Sequence, residues 1–350
     1  MAGLPDEGRG NPCGGITTEN YIPGTTLKQP EPKISVAPMM DWTDRHCRYF
    51  LRQLSPSAHL YTEMITAAAI EFGDRDALLR FDETEHPVAV QLGGSKPAQM
   101  ALAAAESARR GYDEININVG CPSDRVQNGQ FGACLMAIPE KVADCYVAMA
   151  DACDVPITVK TRIGIDDQDS YEYLARFVDT LAAAGCREFI VHARIAILNG
   201  LSPKDNRTIP PLNYDRVFRL KREMSELQIM INGGIVGMDD VATMLNRVDG
   251  VMIGRKAYHD PYFLAELESH YLSGKAPPSR RSVVKCMLPY IERELAAGEK
   301  LGRITRHMLG LFAGQPGARQ WRRTISENAY KQGVGPELLQ TALDAIPEAA

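Results

Sequence analysis

The stretch from residue 157 to residue 192, ITVKTRIGIDDQDSYEYLARFVDTLAAAGCREFIVH, contains one complete unit of the predicted fold. The apolar run Ile157 to Lys160 predicts a strand, and Glu188 to His192 predicts another. Between them, Ser170 to Ala184 predicts a helix, and Gly185 follows it as glycine often follows a helix. This order favours two parallel strands joined by a crossover helix, with Lys160 and His192 at the strand ends.

The same pattern recurs along the chain. The other candidate strands, all short and rich in apolar residues, are Ile34–Val36, Leu60–Thr62, Val88–Gln91, Glu114–Ile117, Ile229–Asn232 and Gly250–Ile253. Further helical stretches between strands are Pro97 to Arg110, Pro139 to Ala152 and Tyr214 to Ser225. Eight strands alternating with helices predict an α/β protein with a TIM (β/α)8 barrel.

Residues suited to chemistry follow these strands or end them. They are Pro38 and Met39 after the first strand, Gln91 at the end of the third, Asn118 and Cys121 after the fourth, Lys160 at the end of the fifth, His192 at the end of the sixth, Asn232-Gly233-Gly234 where the seventh ends and Gly254-Arg255 after the eighth. Active sites of such barrels lie at the C-terminal ends of the strands. We therefore expect one cavity to contain all of these residues.

Three regions are predicted from the change of pattern along the chain. Residues 1–32 are rich in Gly, Pro and polar residues, and we expect a disordered leader there. Residues 33–272 form the barrel, with Phe263 to Leu272 as its last helix. Residues 273–350 are a Gly/Pro/Ser linker followed by a small all-helical domain from Ser282 to Leu343, because strand patterns are lacking there.

Composition restricts the class of protein. The 350 residues are 45% hydrophobic and 24% charged, as in soluble globular proteins. The sequence lacks an apolar run of the ~20 residues that a membrane helix needs, and its beginning lacks the apolar segment of a secretory signal. The eight cysteines form no Cys-x-x-Cys pair, which disfavours a zinc ribbon or a thioredoxin motif. We expect free thiols in the cytoplasm and no bound metal.

Charge is unevenly distributed. The net charge is −5, yet residues 279–323 contain ten Lys and Arg against three acidic residues. Such an excess suits contact with a phosphate backbone, and it equally suits a solvated helical surface. Charge alone leaves both interpretations open.

The strand ends also predict a cofactor. Glycines at 233, 234 and 254 let backbone N–H groups approach a phosphate with which Arg255 would pair. A lysine at a buried strand end, Lys160, suits an anionic partner. Together with Gln91 and His192, these residues suit flavin mononucleotide (FMN), with Lys160 near the N1/O2 edge of the flavin. Cys121 lies where a thiol could give a proton to a carbon at the barrel mouth.

Several linked motifs resemble those of the tRNA-dihydrouridine synthases. They are VAPMMDWTDR at 36–45, YTEM at 61–64, QLGG at 91–94 and NINVGCPS at 116–123. The loop from His192-Ala193-Arg194 through GLSPKDNR at 200–207 resembles the A subfamily, which modifies positions 20 and 20a of the tRNA D-loop. The resemblance extends from about Lys33 to about Tyr330.

The resemblance implies an FMN-binding barrel with a helical tRNA-binding domain and NADPH as the reductant. It implies FMN contacts at Pro38, Met39, Met40, Gln91, Lys160, His192, Asn232, Gly233, Gly234, Gly254 and Arg255. It implies that Cys121 is the catalytic proton donor. The tRNA contacts that it implies are Asn118, Lys204, Arg207, Gln320 and Arg323.

The predicted reaction is the reduction of uridine to 5,6-dihydrouridine, with hydride transfer from FMN to uracil C6 and protonation of C5 by Cys121. Two other functions remain open. An FMN-dependent dehydrogenase or reductase of a free pyrimidine would share the barrel and the cysteine, but would have no use for the basic helical region. A non-catalytic RNA-binding protein on a barrel scaffold would bind no flavin. We expect a monomer without membrane contact.

Overall fold

The computed structural model describes residues 33–123, 126–127 and 129–347, and eight of its strands form a closed barrel. Each strand pairs in parallel with the next, and the first closes on the eighth. The strands are β1 (Lys33–Val36), β2 (His59–Thr66), β3 (Val88–Gly93), β4 (Glu114–Val119), β5 (Ile157–Arg162), β6 (Glu188–His192), β7 (Gln228–Asn232) and β8 (Gly250–Ile253). The predicted parallel barrel is confirmed.

Helices surround the barrel and follow it. They are α1 (Arg45–Arg52), α2 (Ala67–Phe72), α3 (Arg75–Leu78), α4 (Pro97–Arg109), α5 (Pro139–Ala150), α6 (Tyr171–Ala183), α7 (Tyr214–Glu223), α8 (Met238–Leu245), α9 (Arg255–His259), α10 (Tyr262–Leu267), α11 (Arg280–Ala296), α12 (Leu301–Thr305), α13 (Ala318–Asn328) and α14 (Glu337–Asp344). Short 3-10 turns cover Glu83–Glu85, Gly132–Ala137, Asp205–Arg207 and Arg306–Met308, and a π turn covers Glu268–Leu272.

Helix α6 shows how the local sequence sets these boundaries. The side chain of Ser170 accepts a hydrogen bond from the backbone N–H of Tyr173 and caps the first turn. Leu174, Phe177 and Leu181 recur at helical spacing and are buried against the barrel. After the helix, Gly185 adopts φ 111°, a value that a side chain would disfavour, and the chain turns toward β6.

The barrel interior is polar where β4 contributes to it. Side chains alternate between the two faces of a strand, so that Ile115 and Ile117 join the hydrophobic core. Glu114, Asn116 and Asn118 lie on the other face, where they bond to polar side chains of β3 and β5. These hydrogen bonds form a polar column inside the barrel that ends at Cys121.

The chain after β8 contacts α1 through α11, α12 and the turn Arg306–Met308. The rings of Tyr49 and Tyr290 stack with centroids 3.8 Å apart, and His46 Nδ1 lies 2.7 Å from the Tyr290 hydroxyl. Trp321 of α13 is buried and donates its indole N–H to the Met308 carbonyl at 3.0 Å. The described residues from Lys33 to Pro347 belong to one compact unit.

The predicted boundary between barrel and helical domain near residue 273 stays a prediction. The leader predicted at 1–32 lies outside the described residues. In the part of the chain that the structure does describe, the helices are all too short or too polar to cross a membrane.

Candidate active site

A cavity of about 460 Å³ opens at the C-terminal mouth of the barrel. The predicted site residues that line it, contributed by the ends of many different strands, are Pro38, Met39, Met40, Gln91, Asn118, Cys121, Lys160, His192, Arg207, Asn232, Gly233, Gly234, Gly254 and Arg255. Residues as far apart in sequence as Pro38 and Arg255 meet here, because all strands of a parallel barrel end at the same face.

Cys121 lies at the edge of this cavity on the loop that follows β4. It is partly exposed, and its Sγ lies 3.6 Å from the Ser123 hydroxyl. The Asn118 side chain holds the loop, since its Oδ1 accepts the backbone N–H groups of Gly120 at 3.1 Å and Cys121 at 3.0 Å. Cys121 also lines a second cavity of about 940 Å³. Cys121 therefore borders two cavities.

Lys160 is the most strongly perturbed cation of the cavity. Its Nζ donates to Asn232 Oδ1 at 3.3 Å, and Asn232 in turn donates to the Met252 carbonyl at 2.7 Å. Burial, followed by the charge of Arg162, lowers the pKa of Lys160 to about 7. An anionic group placed beside Lys160 would offset this cost of burial and would itself be stabilised.

His192 ends the neighbouring strand and remains neutral. Burial, followed by the positive charges of Arg162 and Lys160, lowers its pKa well below the ordinary range. A neutral imidazole offers one N–H donor and one acceptor to the cavity.

The position after β7 requires glycine, whereas the glycine after β8 borders open space. Gly233 has φ 111°, and a Cβ there would lie 2.6 Å from His192 Cδ2. A Cβ at Gly254 would meet no atom within 4 Å, so the backbone borders open space. Beside it, Arg255 is exposed and donates to the Arg207 carbonyl at 3.3 Å. Bare backbone beside two arginines fits a phosphate group.

Arg162 is a cavity residue that sequence reasoning missed. Its Nε donates to the Gly120 carbonyl at 2.9 Å, and its Nη1 donates to the carbonyls of Ile195 at 2.8 Å and Asn206 at 3.0 Å. Burial lowers its pKa to about 10. One signal was available, because Arg162 is two residues after Lys160 and therefore lies on the same face of β5.

Three of the predicted tRNA contacts lie outside the cavity. Lys204 is exposed on the loop after β6. Gln320 and Arg323 are exposed on α13, where Gln320 donates to the Thr324 hydroxyl at 3.3 Å and Arg323 to Glu327 at 2.9 Å. Exposed hydrogen bonds and ion pairs of this kind are weak and could exchange for another partner.

Some cations of the basic segment 279–323 are already paired within the protein. Arg293 pairs with Asp82, and Arg306 donates to Asp44 at 2.9 Å, so acidic residues distant in sequence neutralise part of the excess. Arg280 lies over the Tyr262 ring at 3.6 Å. The exposed cations of the segment include Lys285, Arg319, Arg322 and Arg323, of which the last three lie on α13.

The barrel and this cavity define an enzyme of the TIM-barrel class, with a thiol, a perturbed lysine and a glycine-rich anion cradle around one space. The model of the family described as dihydrouridine synthase matches residues 35–347, and the chain belongs to that family of oxidoreductases. The resemblance found in the sequence is confirmed.

Curated relatives support the same assignment. Proteins named tRNA-dihydrouridine(20/20a) synthase are 58% identical in Shewanella oneidensis over 89% of this chain and 93% of the relative, and 58% identical in Vibrio vulnificus over 90% and 97%. The relative of that name in Escherichia coli K12 is 57% identical over 90% of this chain and 92% of its own length. The similarity therefore includes the barrel and most of the C-terminal helices.

Proposed function

We propose that this protein reduces uridine to 5,6-dihydrouridine at positions 20 and 20a of the tRNA D-loop, with FMN as its cofactor and NADPH as the reductant. The observation that carries the proposal is the partly exposed Cys121 on the same cavity as Lys160 and the glycines after β7 and β8. The names of the relatives supply the substrate, and we further expect a cytoplasmic monomer.

The residues present fit FMN. The backbone at Gly233, Gly234 and Gly254, with Arg255, would hold the phosphate, since these residues line the cavity, the space beside Gly254 is open and Arg255 is cationic. Lys160 would neutralise negative charge on the flavin, because burial lowers its pKa to about 7 and an adjacent anion would offset that effect. Pro38, Met39, Met40, Gln91, His192 and Asn232 would complete the cofactor contacts. When bound, FMN supplies the hydride that adds to uracil C6.

Cys121 would donate a proton to uracil C5. Lys160, Arg162 and Arg207 line the same cavity as Cys121 and would attract anionic groups of the bound ligands there. Asn118 would contribute by holding the backbone of Gly120 and Cys121, as its Oδ1 does in the structure. A spare N–H of Asn118, Lys160 or the neutral His192 would hold the uracil carbonyl oxygens, on which charge develops.

Binding of tRNA would use the exposed cations outside the cavity. A uridine must leave the base stack to reach a barrel mouth, and the polar loop with Lys204 and Arg207 borders that mouth. Gln320 and Arg323 would contact the backbone from α13, together with its other exposed arginines. These contacts carry no base information and would fix the position of the tRNA.

The test is to map dihydrouridine by mass spectrometry in tRNA from cells that lack this protein and carry one of three genes. Wild type and Cys134→Ala should restore dihydrouridine at 20 and 20a, because Cys134 is a partly exposed thiol that lies outside the cavity. Cys121→Ala should bind FMN and consume NADPH while forming little dihydrouridine.

Other results of this experiment would reject the role of Cys121 or favour a different function. Complete restoration by Cys121→Ala would reject the proton donor. Reduction of free uridine or uracil without change in tRNA would favour a pyrimidine reductase, and purification of a colourless protein that binds tRNA would favour a non-catalytic RNA-binding protein.

A further inference from the structure

A continuous chain of hydrogen bonds runs through the barrel interior from Glu114 to Cys121. The Thr158 hydroxyl donates to Glu114 Oε1 at 2.6 Å, and Asn116 Nδ2 donates to Thr158 Oγ1 at 2.8 Å. Gln91 Nε2 donates to Asn116 Oδ1 at 2.7 Å.

The last two links reach the cavity. Asn118 Nδ2 donates to Gln91 Oε1 at 2.8 Å, and Asn118 Oδ1 accepts the N–H of Cys121 at 3.0 Å. All members from Glu114 to Asn118 are buried.

The register of the barrel creates this chain. Gln91 of β3 lies opposite Asn116 of β4, and Asn116 lies opposite Thr158 of β5. Because side chains at every second position share a face, Glu114, Asn116 and Asn118 all point toward these partners.

Both ends of the chain allow only one hydrogen-bond direction. A backbone N–H can only donate, so the N–H groups of Gly120 and Cys121 require the oxygen of Asn118. At the other end, Glu114 accepts from Lys33 Nζ at 2.7 Å and from the Tyr61 hydroxyl at 2.5 Å. Burial alone would raise the pKa of Glu114, but the neighbouring His59 and Lys33 hold it below its ordinary value, so the carboxylate accepts only.

The fixed direction of these hydrogen bonds determines which hydrogen-bonding groups the cavity presents to a ligand. The side-chain oxygens of Gln91 and Asn118 already accept hydrogen bonds within this hydrogen-bond chain. Each side-chain amide keeps one N–H that the hydrogen-bond chain does not use. Both residues line the cavity. The inner wall therefore presents N–H donors to an acceptor-rich ring, and aligned hydrogen bonds of this kind reinforce one another.

We propose that Glu114 and Thr158 are positioning residues: acting through Asn116, they fix the amide orientation of Gln91 and Asn118, and through Asn118 the backbone of the Cys121 loop. This inference rests on the proposed function, because it assigns Gln91 to the cofactor and Cys121 to the reaction.

The experiment compares Thr158→Val, Thr158→Ser and Tyr61→Phe. Valine keeps the shape of Thr158 and removes the hydroxyl that links Asn116 to Glu114, whereas serine keeps the hydroxyl. Tyr61→Phe is the matched control, since it also removes one buried hydrogen bond to Glu114 but lies outside the chain. Three quantities are measured: the dissociation constant of FMN from flavin quenching, kcat and KM for tRNA per bound flavin, and hydrogen exchange of the Cys121 amide in protein with labelled cysteine.

In Thr158→Val we expect the FMN dissociation constant to rise about fivefold to tenfold, as for one lost hydrogen bond. We expect kcat to fall roughly 10- to 100-fold with little change in KM, and the Cys121 amide to exchange faster. Thr158→Ser and Tyr61→Phe should resemble wild type in all three. Should Thr158→Val not fold, Thr158→Ala against Thr158→Ser gives the same contrast without added bulk.

Equal behaviour of Thr158→Val and Tyr61→Phe would overturn the inference, because loss of the hydroxyl would then matter only for stability. The wild-type protein separates this result from failure of the proposed function. If wild type binds no FMN or leaves tRNA uridine unchanged, the proposed function fails, and Cys121 amide exchange still tests the chain of hydrogen bonds by itself.

Discussion

Replacement of Lys160 by methionine should stabilise the flavin-free protein while weakening FMN binding. In the folded protein, burial and Arg162 lower the pKa of Lys160 from its ordinary 10.5 to about 7. At about 1.4 kcal/mol per unit of pKa, this shift corresponds to roughly 5 kcal/mol of folding stability lost at low pH. Lys160 borders a cavity that opens to solvent, and screening there reduces the cost, so we expect Lys160→Met to unfold with a free energy about 2 kcal/mol or more above that of wild type at pH 7.

The effect has a defined pH window. Below pH 7 both folded and unfolded Lys160 bind the proton, and the cost is complete. Between pH 7 and 10.5 the unfolded chain still binds a proton that the folded protein has lost, so wild-type stability rises with pH. The advantage of Lys160→Met should therefore shrink toward roughly 1 kcal/mol at pH 10.

The assay is urea unfolding of flavin-free wild type, Lys160→Met and Lys275→Met at pH 7 and pH 10. Lys275 is exposed in the segment after α10, and its replacement should leave stability nearly unchanged at both pH values. A Lys160→Met protein less stable than wild type at pH 7, or a stability difference that stays constant with pH, would refute the reasoning. FMN titration of the same proteins should show weaker binding to Lys160→Met alone.

Two further replacements test the anion cradle and the basic segment. Gly233→Ala should weaken FMN binding by about 1–3 kcal/mol in a flavin titration. The reason is that φ 111° is strained for alanine and that its Cβ would press on His192. Unchanged affinity would contradict a close approach of the Gly233 backbone to FMN. Arg323→Ala should lower tRNA affinity and flatten its salt dependence in filter binding, whereas Arg306→Ala should do neither directly, because Arg306 is bound to Asp44. If Arg306→Ala weakened tRNA binding and Arg323→Ala did not, α13 would not belong to the tRNA-binding surface.

The sequence alone predicted the barrel and most of its cavity. Alternating strands and helices determine a parallel barrel, and a parallel barrel brings every strand end to one face. Residues that end strands, such as Lys160, His192 and Asn232, could therefore be assigned to one cavity from the sequence. The motifs around Cys121 resemble those of the dihydrouridine synthases, and the match to the family model confirms that resemblance.

Only the tertiary structure decided which polar groups bind each other. The chain from Glu114 to Cys121 depends on the register of three strands, and short apolar strands do not specify register by pattern alone. The charge count of residues 279–323 likewise did not reveal that Arg293 and Arg306 are paired with Asp82 and Asp44. Composition records how many charges a segment carries, whereas their availability depends on long-range packing that brings distant acidic residues within reach.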